Sequence, residues 1–221
     1  CRYCVIDGSD IQKDYATQME GLGRVRDGDK STKNRIAIGN GYWLMNAVMV
    51  GEEQIIPVAS ELYSVDYEGK EQTSENKKLL DIVRMIHDVH PDVITVIDRG
   101  GDRNKIFNEC IELSVKFVVR CNDSRHLRLH CDSSKGKNIK KIAQSIKAKR
   151  RYKSSRGKTF YVGYKTVYLG SHRLYLVAAK NPDGGLSWYL TNITGKPYEV
   201  MDTVMEAYGE RWRIEEYNRC I

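Results

Sequence analysis

No run in this sequence approaches the roughly 18 consecutive apolar residues that a membrane-crossing helix needs, so no segment reads as a helical membrane span. A signal-like leader is missing, and so is an initiating Met. "CRYCVIDGSDI" begins almost directly in a strand, and the sequence reads as a piece of a longer protein, open at both ends. Internal repeats are absent, and one basic stretch is the only biased tract. The six cysteines (Cys1, Cys4, Cys110, Cys121, Cys131 and Cys220) are scattered through a chain neither short nor evidently secreted, which argues against a disulfide framework and for free, mostly buried thiols in a reducing cytosol. Cys1-x-x-Cys4 has no matching second pair. A zinc site drawn from it with His126 and His130 is therefore weakly founded.

Acidic residues are missing from one place in particular. Residues 135–158, "KGKNIKKIAQSIKAKRRYKSSRGK", hold eleven Lys and Arg and no acid, whereas the whole 221-residue chain carries a net charge of +7. Outside that stretch the balance is slightly acidic. Basic character so concentrated points to a polyanion, most often nucleic acid, with a solubilising loop as the bland alternative.

What is present is an α/β pattern, with 41% hydrophobic residues, enough for a packed core. "RYCVIDGSD" reads as a strand ending in a glycine turn, and the polar, glycine-rich residues after it read largely as loop. "GYWLMNAVMV" and "EQIIPVASELY" read as a hairpin. Ser74 is a natural N-cap for a helix whose inward stripe is Leu79, Leu80, Ile82, Val83 and Ile86, closed by Pro91. "DVITVID" is a strand of the buried kind, followed by the turn "RGGD", with Asp102 as cap for a helix over 103–113. "VKFVVRC" is the next strand. The result is a mixed sheet flanked by helices. Residues 122–197 break the pattern with the basic stretch and three strand-like runs, a mostly β insertion. Pro197 then suits the start of the last helix. The expected division is 1–121 for the first part of a core, 122–197 for the insertion and 198–221 for the final helix.

Asp7 and Asp98 each fall where an apolar strand is expected to end, the place where ligands bind in open α/β sheets. Two carboxylates in one crevice repel, and a hard divalent cation such as Mg2+ resolves the repulsion. On a helix, Tyr208, Arg211 and Glu215 fall within about 60° of one another, in line with Met201 and Val204, so an inward apolar stripe continues into an Arg and a Glu. The bland reading is a surface ion pair between Arg211 and Glu215. Glu215 facing inward would instead complete an acidic triad able to hold two metal ions for phosphodiester chemistry. Asp10, Asp102 and Glu216 are the competing carboxylates.

"VIDGSDI", "VIDRGGDR", "KFVVRC" and "YGERWRIEEYNRCI" resemble the DDE transposases of bacterial insertion sequences. The closest likeness is to the group with the signature Tyr, two residues, Arg, three residues, Glu, six residues, Lys (the IS-four family). Tyr208, Arg211 and Glu215 fit that spacing, and the signature Lys would stand at position 222. The resemblance runs from Asp7 to Ile221. It implies an RNase H-like fold and a catalytic triad of Asp7, Asp98 and Glu215 that also binds Mg2+, as two ions, with Mn2+ as a substitute. It implies Tyr208 and Arg211 on the DNA backbone, and Trp188 of "SWYL" stacked on a displaced base. Arg120, at the end of "KFVVRC", and Lys147, Lys149, Arg150, Arg151 and Lys153 of the basic segment complete the expected DNA contacts. It further implies cut-and-paste transposition by a synaptic homodimer acting on transposon ends and target DNA, in the cytoplasm and bound to the nucleoid. A Mg2+-dependent nuclease of similar fold and a silent DNA-binding remnant of a transposase are the rival readings. For Trp188, the alternative to stacking is an ordinary core position.

Overall fold

The computed structural model describes residues 1–27, 30–32, 35–64, 73–181 and 183–220, so Ile221 lies outside the described residues. In chain order the elements are β1 (Tyr3–Gln12), β2 (Gly23–Asp27), β3 (Ala37–Val50), β4 (Ile55–Tyr63), α1 (Glu75–Val89), β5 (Ile94–Ile97), a 3-10 turn (Arg99–Gly101), α2 (Asn104–Glu112), β6 (Lys116–Arg120), β7 (His126–Leu127), β8 (Lys137–Asn138), α3 (Ile139–Gln144), β9 (Arg150–Lys153), β10 (Thr159–Leu169), β11 (His172–Lys180), β12 (Leu186–Thr191), α4 (Pro197–Gly209) and α5 (Trp212–Asn218). Among the described residues no helix is long and apolar enough to cross a membrane.

Ten strands form one mixed sheet in the order β2-β3-β1-β5-β6-β12-β11-β10-β9, with β4 also on β3; β7 and β8 pair separately. The centre is parallel, β1 with β5 and β5 with β6. Both flanks are antiparallel: β3 on β1, and β12 on β6 leading out through β11 and β10 to β9. Four strands of segment 122–197, β9 to β12, thus continue the sheet of the first 121 residues.

The hairpin of β3 and β4, the Ser74 cap of α1 and the five inward residues of α1 all form as the sequence predicts. Four expectations change. β1 does not turn at Gly8, because β3 is 14 residues long and offers a partner to every β1 residue as far as Gln12. The stretch expected as loop contains β2 and the start of β3. Gly41 permits this crowding, since a Cβ there would sit 2.2 Å from the Ile11 carbonyl oxygen and 2.8 Å from Val25. Asp102 does not cap α2. Its buried carboxylate accepts the Asn122 backbone N–H at 2.6 Å and pairs with Arg125 at 2.5 Å, tying together the loops that follow β5 and β6. Finally, the last helix is two helices: α4 stops at Gly209, a poor helix former, and α5 begins at Trp212.

Alternation along the strands sorts the core into two faces. Cys4, Ile6, Met45, Ala47, Phe117, Val119, Trp188 and Leu190 pack under α1, α2 and α3. Tyr3, Val5, Val48, Val50, Ile94, Val96, Val118 and Tyr189 pack under α4 and α5.

Candidate functional site

The parallel ladder between β1 and β5 ends at Ile6 opposite Ile97. Asp7 and Asp98 are therefore the next residue on each of two adjacent strands. They stand together at the same end of the sheet although β1 itself continues. Both follow alternation onto the face under α4 and α5, Asp7 after Tyr3 and Val5, Asp98 after Ile94 and Val96. The chain bends away at once after Asp98, whose carbonyl accepts the Gly101 N–H at 2.9 Å. A Cβ on Gly101 would lie 2.4 Å from the Ile97 side chain, so a larger residue would displace the turn and Asp98 with it.

The junction of α4 and α5 lies over this pair. Val200, Met201, Val204 and Met205 bury the inner side of α4, and Ile214 is the one fully buried side chain of α5. The Tyr208 hydroxyl donates to Asp98 Oδ1 at 2.8 Å. Arg211 lies 4.0 Å from Asp98 Oδ2 and forms a hydrogen-bonded ion pair with Glu215. The bland Arg211–Glu215 pair is thus formed, and the same guanidinium also faces Asp98. Glu216 is exposed, as expected.

Burial pushes the Asp7 carboxyl up from 3.8 to about 6. Arg211 opposes that rise, and the charges of Asp98 and Glu215 add to it, so the three carboxylates lie within electrostatic reach of one another. Burial also raises the Tyr208 phenol far above its usual range, with the Asp98 carboxylate next in effect, and the phenol stays a donor. Burial works against the Arg211 charge, but the oxygens of Tyr208, Asp98 and Glu215 outweigh it and hold the guanidinium firmly protonated.

The family model described as Transposase DDE domain matches residues 46–221. The chain belongs to that family. No match is found among curated proteins. The matched span contains Asp98, Tyr208, Arg211 and Glu215, while Asp7 precedes it and is brought to them by the β1–β5 ladder.

Members of the family generally use divalent metal ions. The donor set of this transposase domain is of the kind a hard divalent cation takes, because Asp7, Asp98 and Glu215 all offer carboxylate oxygens within electrostatic reach of one another. Here Arg211 supplies the compensating charge, and no group of three or more His, Cys, Asp or Glu among the described residues is drawn together closely enough to hold an ion. The Cys1-x-x-Cys4 pair offers no alternative centre. Cys1 is exposed, while Cys4 is buried and its thiol pushed up to about 12 by burial. Three of the six free thiols are buried, fewer than expected.

Arg120 reaches the site from β6, its guanidinium 6.0 Å from the centre of the Tyr208 ring. Lys147, Lys149, Arg151 and Lys153 are exposed. Arg150 instead pairs with Asp202 of α4 and lies over Tyr198. Trp188 is placed differently from the expectation that it faces the active site. It is 7% exposed and packs under α1–α3, on the opposite side of the sheet from the carboxylates. Its neighbour Tyr189 faces them, with its ring 4.6 Å from that of Tyr208. The register of β12 on β6, in which Tyr189 pairs with Arg120, sets this, and no local sequence signal gives it. Sequence reasoning also missed Arg156, whose guanidinium stacks 3.4 Å from the Trp212 ring and so brings the basic β9–β10 turn against α5, and the buried Asn46 beside Asp7.

Proposed function

We propose that this chain is the catalytic core of a Mg2+-dependent cut-and-paste transposase of the Tyr-Arg-Glu-Lys signature group, with Asp7, Asp98 and Glu215 as its catalytic carboxylates. The observation that carries the reading is the convergence at Asp98. Tyr208 and Arg211, at signature spacing, both engage that carboxylate, and Arg211 joins it to Glu215. An RNase H-like core is supported by a sheet whose antiparallel half, β4-β3-β1, leads into parallel β5 and β6 through α1 and α2. On this reading 1–121 and 198–221 form the core and 122–197 is a strand-rich, basic extension of it.

Asp7, Asp98 and Glu215 would hold two divalent ions, which when bound activate the attacking oxygen and stabilise the leaving oxygen of a phosphodiester. Tyr208 fixes the orientation of Asp98 through Oδ1 and leaves Oδ2 toward the open side. Arg211 and Arg120 line that side with permanent positive charge for DNA phosphates. Lys147, Lys149, Arg151 and Lys153 extend the charge along the extension, and Arg150 joins them once released from Asp202. Trp188, packed in the core on the opposite face of the sheet, has no part in this reading. The substrates are transposon ends and target DNA, held by a synaptic homodimer in the cytoplasm at the nucleoid.

The test uses the full-length protein on DNA carrying transposon ends. Replacing Asp7, Asp98 or Glu215 by Ala should abolish Mg2+-dependent strand cleavage while DNA binding, which rests on basic contacts to phosphates, persists. Cleavage that survives any one replacement removes that residue from the triad. A wild-type protein that releases cut ends but never joins them to a second DNA is a nuclease of the same fold.

A further inference from the structure

Among the described residues, Asn46 is the one fully buried amide side chain on the α4–α5 face of the sheet. It has no exposed surface, and it stands on β3 directly opposite Asp7. Its Nδ2 donates to Oδ1 of Asn218 at 2.8 Å, across 172 residues of sequence, and its own Oδ1 has no protein partner. Asn218 is the last residue of α5, and Glu215, three residues earlier, lies on the same side of that helix. A buried amide left half satisfied is unfavourable, and an apolar residue would fill the same space without that cost. Its presence here therefore calls for a role beyond packing.

We infer that Asn46 and Asn218 are a positioning pair that sets the place of Glu215 relative to Asp7, an inference that rests on the triad proposed above. α5 is also held by Ile214, its one fully buried side chain, by Tyr217 packed partly buried against the core, by Arg156 stacked on Trp212, and by Arg213, which reaches out to the Glu52 carbonyl and to Glu210 at the far end of the helix. The amide pair is the side-chain hydrogen bond that joins the C-terminal end of α5 to the sheet, and it does so beside Asp7. Helix geometry transmits it. With Asn218 pinned to β3, a rotation or lift of α5 that would carry Glu215 away from Asp7 breaks the bond. Neither asparagine touches the scissile phosphate on this account; both act through Glu215.

The experiment compares the full-length wild type with Asn218→Ala, Asn46→Ala and the double variant. Three readouts are taken: single-turnover strand cleavage, DNA affinity, and hydrogen exchange of the α5 amides. Asn218→Ala, at a partly exposed helix end, leaves the buried Asn46 amide unpaired, so it should melt somewhat below the wild type while folding normally and binding DNA as tightly. It should cleave about 10²-fold more slowly, the scale of a misplacement near 1 Å, and exchange its α5 amides faster. The double variant should cleave no more slowly than the slower single variant, since the two residues act as one unit. Wild-type cleavage by Asn218→Ala, or unchanged exchange in α5, overturns the inference, as does a loss of DNA affinity matching the loss of rate. If Asn46→Ala does not fold, Asn218→Ala decides alone. A wild type that cleaves no DNA overturns the proposed function instead, and the exchange of α5 then decides whether the tether exists. Glu216→Gln, on the same helix, should leave all three readouts unchanged.

Discussion

The two faces of the sheet are built from the same strands and do different work. Under α1–α3 the strands present Cys4, Ile6, Met45, Phe117, Val119 and Trp188, and α1 alone answers with five buried aliphatic side chains. Under α4–α5 the apolar rows of Val5, Val48 and Val96 give way within one further residue pair to Asn46, Asp7 and Asp98. There the covering helices answer with Tyr208, Arg211 and Glu215. One face therefore draws its order from packing, which is insensitive to pH and salt. The other trades packing for directed polar contacts, and its order depends on charge. Sites of strained electrostatics are where function concentrates.

The comparison predicts that substitutions on the first face cost stability and those on the second cost chemistry. The largest effect on stability is expected from Trp188→Ala, which empties a core position and should destabilise the fold by about 3–5 kcal/mol. Denaturant unfolding checks this, and strand cleavage and the joining of cut ends should then slow together. A Trp188→Ala protein that melts normally and cleaves normally yet fails only in joining would break the comparison and restore the base-stacking role.

Next is Asp7→Asn. The folded pKa of Asp7 is raised, so the carboxyl favours the folded state while protonated. That contribution is full below about pH 4, is lost as pH rises through about 6, and leaves the ionised carboxylate costing roughly 3 kcal/mol at pH 8. Asp7→Asn without divalent metal should therefore be more stable than the wild type by about that amount at pH 8 and no more stable at about pH 4. Urea midpoints at the two pH values decide, and equal midpoints would mean that Asp7 carries no such burden.

Tyr208→Phe is smaller. It removes one hydroxyl, the donor to Asp98, and should cost about 1 kcal/mol of stability. Its effect should fall more on the cleavage rate than on melting, and a rate like that of the wild type would remove Tyr208 from the support of Asp98.

Smallest in stability is the basic extension. Exchanging Lys147, Lys149, Arg151 and Lys153 for Gln should leave melting unchanged and make the slope of log affinity against log salt shallower by about 0.9 per lost contact, on any DNA sequence. Arg150→Gln should change the slope less, because Asp202 already holds that charge. An unchanged slope for the four would mark the segment as a solubilising surface.

The sequence by itself determined the local features. The stripe of α1 and its Ser74 cap, the β3–β4 hairpin, the buried strand before Asp98 and the spacing of Tyr208, Arg211 and Glu215 were all legible, because period, capping and turn chemistry act within a few residues. It also singled out the candidate site residues, since carboxylates and arginines among apolar runs stand out in one dimension. Tertiary structure alone decided the rest. β1 runs past Gly8 because β3, some thirty residues on, is long enough to pair with it. The last helix breaks at Gly209 and still returns Arg211 to Asp98, a contact between the helix junction and a strand end more than a hundred residues earlier. Trp188 and Tyr189 are adjacent in sequence and face opposite ways, and the register of β12 on β6 chooses between them; a shift of one residue would exchange their places. The Asn46–Asn218 bond joins residues 172 apart, and no local pattern announces it. Such contacts depend on the strand order of the closed sheet, which is set by the total burial of both faces and not by any single segment.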